Sequence, residues 1–129
     1  MKEILKKWIL FAEADLDAAK RLFKSPKPTQ WTYLLILWHC HQTIEKGLKM
    51  AIIKRKKELI KIHDLQRLVE TTEINFSPGD FVFIKNLNKY YFPPRYPDII
   101  YGPLPKPDKN FINDYLEKTD KLFIWLQKQ

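Results

Sequence analysis

The chain has 129 residues, of which 45% are hydrophobic and 29% charged, a composition typical of one folded globular domain spanning residues 1–129 and not of a disordered chain. Its net charge of +8 favours a polyanionic partner such as RNA, a nucleotide or an acidic protein surface, although a basic surface without such a partner is an equal alternative. A single cysteine excludes an intrachain disulfide, and Cys40 lies in an apolar run that predicts a buried thiol.

The N-terminal segment predicts an amphipathic helix over about residues 2–24, which ends before Ser25-Pro26. Asp15 falls on the predicted inward face, and a buried carboxylate needs a partner, so we expect a cation from another helix or a wet groove beside it. The acidic residues come too early for a secretory signal, and the apolar run 31–40 is too short to span a bilayer, which predicts a cytoplasmic protein without membrane contact. The predicted inward residues of this helix are Ile4, Trp8, Phe11, Ala18 and Leu22.

The longest helical pattern runs from Trp31 to Lys57, with Thr29 as its predicted N-cap. Its first turns, 34–38, are apolar almost all round, which predicts burial of that end on more than one side. The predicted buried face contains Tyr33, Leu34, Leu37, His41, Ile44, Leu48, Ala51 and Ile52. An adjacent polar stripe, which predicts a polar groove beside the core, contains Gln42, Glu45, Lys46 and Lys49.

Three more helices are predicted after this one. Asp64 is the expected N-cap of a short third helix, and Ser77 begins a fourth that extends to about Phe92. Six of the nine prolines fall in 93–108, which predicts a long loop packed on the domain, and Asp108 caps the last helix. The predicted fold is an all-α, up-and-down four-helix bundle with an additional short helix. The inward stripe of the fourth helix is predicted to be Phe81, Ile84, Leu87 and Tyr91.

Motifs typical of enzymes are mostly absent from the sequence. The three glycines are scattered and form no phosphate loop, and no serine or cysteine is placed like a nucleophile. His39 and His41 point to different helix faces, and the one-turn spacing of His41 and Glu45 is a common accident. The sequence therefore predicts no metal site and no cofactor.

Two local groups are candidates for ligand binding. The first is the polar stripe of the second helix together with His63-Asp64, and the second is the segment 95–98. Arg95 follows a proline and precedes Tyr96-Pro97, so its five donors start from a stiff backbone that suits a phosphate or carboxylate. The alternative is structural, because helical glutamate–lysine pairs are commonly surface salt bridges worth about 0.3–0.5 kcal/mol and His-Asp is commonly a helix cap.

Four short segments occur in a fixed order along the chain and are followed by an aromatic-rich last helix: DLDAAKRL (15–22), HQTIEKGLKMAII (41–53), IHDLQRLV (62–69) and RYPD (95–98). In these segments and in their order the chain resembles the HEPN domain family, named for higher eukaryotes and prokaryotes nucleotide-binding. The resemblance implies a bundle of about five helices that is commonly a homodimer, and we expect Trp38 or the proline-rich loop near the interface. It also implies a partner, because members of this size are often encoded beside a minimal nucleotidyltransferase and act with it as a toxin–antitoxin-like pair.

Many toxic members of this family are metal-independent ribonucleases whose signature is an arginine followed, after four to six residues, by a histidine. Arg95 matches the arginine, but no histidine follows it in the chain, and Tyr101 near that place is a poor base because a phenol has an ordinary pKa of about 10. We therefore predict a nucleotide- or RNA-binding subunit with no catalytic residue. The alternatives are a degenerate endoribonuclease that uses Arg95 with Tyr101 or His63, and a protein–protein interaction module.

For the binding role we expect Arg95, Lys46 and Lys49 to line one groove, with Tyr96 stacking on a base and Asp15 or Glu45 orienting a cation. The structural alternative is that Asp15 and Glu45 neutralise Lys46 and Arg95 inside the bundle. The complete predicted ligand-binding set is Asp15, Glu45, Lys46, Lys49, Arg95, Tyr96, Asp98 and Tyr101.

Overall fold

A computed structural model describes residues 2–91 and 107–129 of the chain. The α-helices in these ranges are α1 (Glu3–Phe23), α2 (Gln30–Lys54), α3 (Leu65–Thr72), α4 (Pro78–Leu87) and α5 (Lys109–Gln127). A 3₁₀ turn, Asn88–Tyr90, follows α4 directly. The described ranges contain no β-strand, and the predicted all-α bundle is confirmed.

Side-chain caps determine where four of the helices begin. At α2 the Thr29 hydroxyl accepts a hydrogen bond from the Thr32 amide at 3.3 Å, and the Thr32 hydroxyl accepts one from the Thr29 amide at 3.1 Å. Asp64, Ser77 and Asp108 accept amide hydrogens in the first turns of α3, α4 and α5. Each cap satisfies an amide that has no partner within its helix and stabilises the helix by about 0.5–2 kcal/mol. The predicted capping residues are therefore confirmed.

α2 is the central helix, and α1, α3, α4 and α5 all pack against it. Its inward side chains share one hydrophobic core with residues from each of these helices. Cys40 is among them, and its burial raises the pKa of the thiol to about 12, so the predicted buried thiol is confirmed. The fully buried apolar residues of α2 include Ile36, Leu37, Cys40, Ile44, Leu48 and Ile52.

The predicted inward face of α1 is confirmed at Asp15, which is buried, and wrong at Ile4 and Phe11. Ile4 and Phe11 are exposed, whereas Ala12 and Ala19 are completely buried. Small side chains allow the α1 and α2 backbones to approach, as shown by the Thr43 hydroxyl, which lies 3.4 Å from the Ala12 carbonyl oxygen. α1 therefore packs on α2 through the face that carries Ala12 and Ala19, and the larger side chains of Ile4 and Phe11 remain exposed.

The prediction that the first turns of α2, 34–38, are buried on more than one side is confirmed only in part. Ile36 and Leu37 are completely buried and Leu34 packs against the core, but Leu35 is 38% exposed. Burial is more complete further along, where nearly every residue from Cys40 to Ile52 is buried. An apolar run indicates that a segment can be buried, but the positions of the neighbouring helices decide which part is enclosed. None of the described helices is both long enough and apolar enough to cross a membrane.

α4 differs from its predicted extent and face. It ends at Leu87, before the predicted end at Phe92, and the chain continues as the 3₁₀ turn. Phe81 is exposed, and Phe83 lies in the core, where its ring contacts Tyr115 at a centroid distance of 5.1 Å. The buried face of α4 thus begins at Phe83, two residues after the predicted Phe81.

The contact between α2 and α5 depends on Gly47. A methyl group on its Cα would lie 3.2 Å from Leu126 Cδ1 and 3.3 Å from Phe123 Cδ1, and both of those side chains are buried in the core. We expect Gly47→Val to lower the free energy of unfolding by about 1–3 kcal/mol in urea denaturation, because the branched side chain overpacks this contact.

Gly79→Val is the matched control for this substitution. Gly79 lies in the exposed first turn of α4, and no atom of the described residues would come within 4 Å of an added Cβ. We expect its free energy of unfolding to change by no more than about 0.5 kcal/mol. Equal losses in the two variants would contradict the close approach of α2 and α5 at Gly47.

Candidate functional site

Glu45, in the middle of α2, is a buried carboxylate surrounded by basic side chains. One oxygen accepts a hydrogen bond from Lys49 Nζ at 3.0 Å, and the two oxygens lie 3.1 and 3.2 Å from Nδ1 of His63. Nδ1 of His41 is 3.8 Å from the nearer oxygen. Because an uncompensated charge inside a protein is costly, these neighbours are what allow a carboxylate at this position.

Asp15 of α1 is the centre of a second group of the same kind. One of its oxygens lies 2.9 Å from Nδ1 of His39, and the other accepts a hydrogen bond from Lys46 Nζ. Burial alone would raise the pKa of Asp15, but the hydrogen bonds from His39 and Lys46 and their charges hold it below its ordinary value. The predicted cation from another helix is therefore confirmed, and it is Lys46.

His41 connects α2 to the turn that follows α4. Its Nε2 lies 3.4 Å from Oδ1 of Asn88, and its ring is 5.2 Å from the Tyr91 ring between centroids. Desolvation by burial lowers the pKa of His41 to about 4, although the nearby Glu45 charge opposes this shift. His41 is consequently neutral near pH 7 and acts as a hydrogen-bonding core residue.

A pocket of about 470 Å³ opens beside the Glu45 group, between the start of α3 and the 3₁₀ turn. We call it the His63 pocket. The His63 ring stacks on Tyr91, with centroids 4.4 Å apart and planes inclined by 16°, yet its side chain remains 52% exposed. The described residues that line the pocket are Lys61, Ile62, His63, Asp64, Asn88 and Tyr91.

Asn88 links the two sides of the His63 pocket, the 3₁₀ turn and the start of α3, by hydrogen bonds. Its Oδ1 accepts a hydrogen bond from the Leu65 amide at 3.0 Å, and its Nδ2 donates to Oδ1 of Asp64 at 3.0 Å. The same Asp64 oxygen accepts the Gln66 amide at 3.1 Å as the cap of α3. The segment His63-Asp64 is therefore both a helix cap and one side of a pocket.

The sequence-predicted site residues do not form one open groove within the described chain. Asp15 and Lys46 form one ion pair and Glu45 and Lys49 form another, and all of these except Lys46 are buried. Gln42, Glu45 and Lys49 of the polar stripe are thus enclosed by neighbouring elements, and the ligand-binding roles expected of Asp15, Glu45, Lys46 and Lys49 stay predictions. The remaining predicted site residues lie outside the described residues, so their roles stay predictions: Arg95, Tyr96, Asp98 and Tyr101.

Lys61, Asn88 and Tyr91 were not among the site residues predicted from the sequence. His63 was, together with Asp64, as part of a candidate ligand-binding group and also as a helix cap or a substitute base. Asn88 and Tyr91 follow α4, far along the chain from His63, and no local pattern connects them. In the described part of the chain, no three His, Cys, Asp or Glu side chains are arranged to hold a metal ion.

Lys49 and Lys118 form ion pairs of the same geometry in different surroundings. Each lies four residues after its carboxylate partner at 3.0 Å, but Lys49 and Glu45 are 9% and 4% exposed, whereas Lys118 and Asp114 are 54% and 52% exposed. We expect Lys49→Met to lower the free energy of unfolding by about 3 kcal/mol, because Glu45 keeps a buried charge with less compensation. Lys118→Met is the control, with an expected loss below about 1 kcal/mol.

Chemical denaturation monitored by circular dichroism measures both variants and the double variant Glu45→Gln/Lys49→Met. The double variant should lose less than the sum of its single substitutions, because it no longer leaves a buried charge without its partner. Similar losses for Lys49→Met and Lys118→Met would contradict a buried role for the Glu45 group.

The chain is similar to HEPN proteins in sequence and in fold. The model of the HEPN domain matches residues 5–129. The crystal structure of TT1696 from Thermus thermophilus is similar, with a TM-score of 0.79 and 20% identity over 98% of each chain. The archaeal HEPN homologue ST0689 has a TM-score of 0.72 and 24% identity, covering 100% of this chain and 98% of its own.

At identities of 20% and 24%, the similarity to these two structures shows that the chain has the same fold, and it does not show a common function. The sequence comparison with curated proteins found no match. The family model, however, covers all but the first four residues of the chain. On that match, the chain belongs to the HEPN domain family.

Proposed function

We propose that this HEPN protein binds a nucleotide or RNA and serves as the binding subunit of a pair with a separate minimal nucleotidyltransferase. The observation that carries the proposal is the His63 pocket, in which a stacked aromatic pair, a lysine and an acceptor carboxylate line one opening of about 470 Å³. Aromatic rings stack on nucleobases, and lysine neutralises phosphate. The net charge of +8 favours approach of such a polyanion.

The cations that contact phosphate in this proposal are Lys61 and Arg95. Lys46 and Lys49 each pair with a carboxylate inside the bundle, so their charges are already compensated. Arg95 follows Tyr91 by four residues in the sequence and retains its expected role as a multidentate phosphate donor. Tyr96, Asp98 and Tyr101 remain proposed ligand contacts.

A second candidate function is a metal-independent endoribonuclease with a degenerate Arg…His motif. The contact that favours it is the bond between His63 Nδ1 and the buried Glu45 carboxylate, because a carboxylate orients a histidine so that the other ring nitrogen can exchange a proton. We rank it second because the family histidine is absent after Arg95.

The test uses fluorescence anisotropy with a labelled single-stranded RNA in buffer without metal. Wild-type protein should bind with an affinity that decreases with salt, and it should leave the RNA intact over hours. Lys61→Ala and Arg95→Ala should each weaken binding about tenfold, the loss of roughly one charge-assisted contact, without a large change in melting temperature. Lys118→Ala, an exposed cation outside the His63 pocket, should bind like wild type.

Three results would contradict the binding proposal in different ways. RNA cleavage that disappears in Arg95→Ala would establish the endoribonuclease alternative. Failure of wild-type protein to bind RNA or nucleotide would leave the interaction module as the remaining function. A lower melting temperature in Arg95→Ala with unchanged affinity would assign Arg95 to a structural ion pair.

A small nucleotidyltransferase reading frame beside the gene would support the proposed pairing and a cytoplasmic location.

We also propose that the protein is a symmetric homodimer. Exposed apolar side chains occur on both α1 and α2, and a surface that carries several of them is commonly covered by a partner. From the sequence we expect the interface near Trp38 or the proline-rich loop, and Trp38 lies on α2 together with two of the exposed residues. These exposed residues are Ile4, Leu10 and Phe11 on α1 and Trp31 and Leu35 on α2.

Sedimentation at tens of micromolar protein should give twice the chain mass of 15.6 kDa. Phe11→Glu should shift the protein toward the monomer, because it places a charge beside Ile4 and Trp8 on the exposed apolar surface of α1. The matched control is Val82→Glu on α4, since Val82 and Phe11 are similarly exposed, at 55% and 59%. A monomeric wild-type protein, or equal effects of both substitutions, would exclude this interface.

A further inference from the structure

The exposed part of His63 is limited to one side of its ring. Tyr91 covers one face at a centroid distance of 4.4 Å, and Glu45 occupies the Nδ1 edge. The side chain is nevertheless 52% exposed, so the accessible area belongs to the opposite face and the Nε2 edge. Since His63 lines the pocket of about 470 Å³, this area presents a flat aromatic surface to it.

The orientation of this ring is determined before any ligand arrives. Glu45 is itself buried and bonded to Lys49 at 3.0 Å, so the group that holds His63 is anchored in the central helix. A ring that is already ordered loses little conformational entropy when a second ring stacks on it. His63 is therefore better suited to stacking than an unrestrained surface aromatic residue.

Asp64 determines which part of a nucleotide suits this surface. Its Oδ1 accepts hydrogen bonds from Asn88 and Gln66, whereas Oδ2 has no hydrogen-bond partner among the described residues. A carboxylate repels phosphate but accepts the amino hydrogens of adenine, guanine or cytosine. Beside His63 the preferred group is thus a base with an amino group, and Lys61 at the same pocket is the cation for its phosphate.

We propose that the outer face of His63 is a stacking platform for an unpaired, amino-bearing nucleobase, and that Asp64 accepts the amino group. This inference rests on the proposed nucleotide-binding function and specifies the ligand class of the same pocket. Base-paired RNA does not satisfy it, because both faces and the pairing edge of each base are already engaged. The ligand is accordingly a free nucleotide or single-stranded RNA with an accessible adenine, guanine or cytosine.

Titration calorimetry with AMP, UMP and ribose 5-phosphate tests this assignment on the wild-type protein. AMP should bind at least about fivefold more tightly than ribose 5-phosphate, the lower end of what base stacking contributes. AMP should also bind more tightly than UMP, whose base has no amino group. The His63 ring protons should shift upfield in NMR spectra when AMP binds and should not when ribose 5-phosphate binds.

Two substitutions separate stacking from the acceptor role. His63→Ala should abolish the preference for AMP over ribose 5-phosphate, whereas His63→Phe, which keeps an aromatic face, should retain most of it. Asp64→Asn should reduce the preference for AMP over UMP and leave α3 capped, because asparagine is an equally good N-cap. The melting temperature of each variant reports whether it remains folded.

Failure of this inference differs from failure of the proposed function. Equal binding of AMP and ribose 5-phosphate by wild type, or an unchanged preference in folded His63→Ala, would overturn the stacking platform while nucleotide binding stands. If wild type binds none of the three ligands and no single-stranded RNA, both the platform and the proposed function are overturned. The wild-type comparison requires no variant, so a variant that does not fold cannot leave the inference undecided.

Discussion

The buried charge of Glu45 constrains much of this molecule. A carboxylate in the middle of the central helix has to be compensated, and Lys49 from the same helix and His63 from the segment before α3 do this. The second contact joins two distant parts of the chain and determines which way the His63 ring faces. Stability and the shape of the pocket therefore depend on the same carboxylate.

Asp15 repeats this arrangement between α1 and α2, where it is bonded to His39 and Lys46. Apolar helix faces tolerate small rotations and shifts, but a hydrogen-bonded ion pair is satisfied in only one register. We infer that the Asp15 group sets the register of α1 on α2, and that the Glu45 group sets the approach to α3. Polar residues inside this bundle thus specify how apolar helices align.

The basic side chains around Asp15, Glu45 and the His63 pocket fall into two groups. The lysines nearest the two carboxylates are engaged in ion pairs, whereas Lys61 and half-exposed His63 line an opening. The Glu45–His63 contact is compatible with either proposed chemistry, because an oriented imidazole can stack on a base or exchange a proton. What distinguishes a binder from a ribonuclease is whether the accessible edge of that ring meets a ribose hydroxyl or only a base.

Local chemistry in the sequence determined the helices and their beginnings. Thr29, Asp64, Ser77 and Asp108 cap neighbouring amides, so their roles follow from residue type and spacing within a few positions. The segments that resemble the HEPN family are likewise short stretches of sequence, and they were sufficient to predict the fold. The burial of Cys40 also followed from the apolar run around it.

Contacts between distant segments were decided only by the tertiary structure. Periodicity shows that α1 has apolar residues, but the close approach of α2 at Ala12 determined which of them are buried and left Phe11 outside. Lys46 and Lys49 belong to one polar stripe in the sequence, but in the packed bundle Lys46 pairs with Asp15 of α1 and Lys49 with Glu45 of α2. The His63 pocket required His63, Asn88 and Tyr91 to meet, and no pattern within one segment encodes a meeting of residues so far apart in the chain.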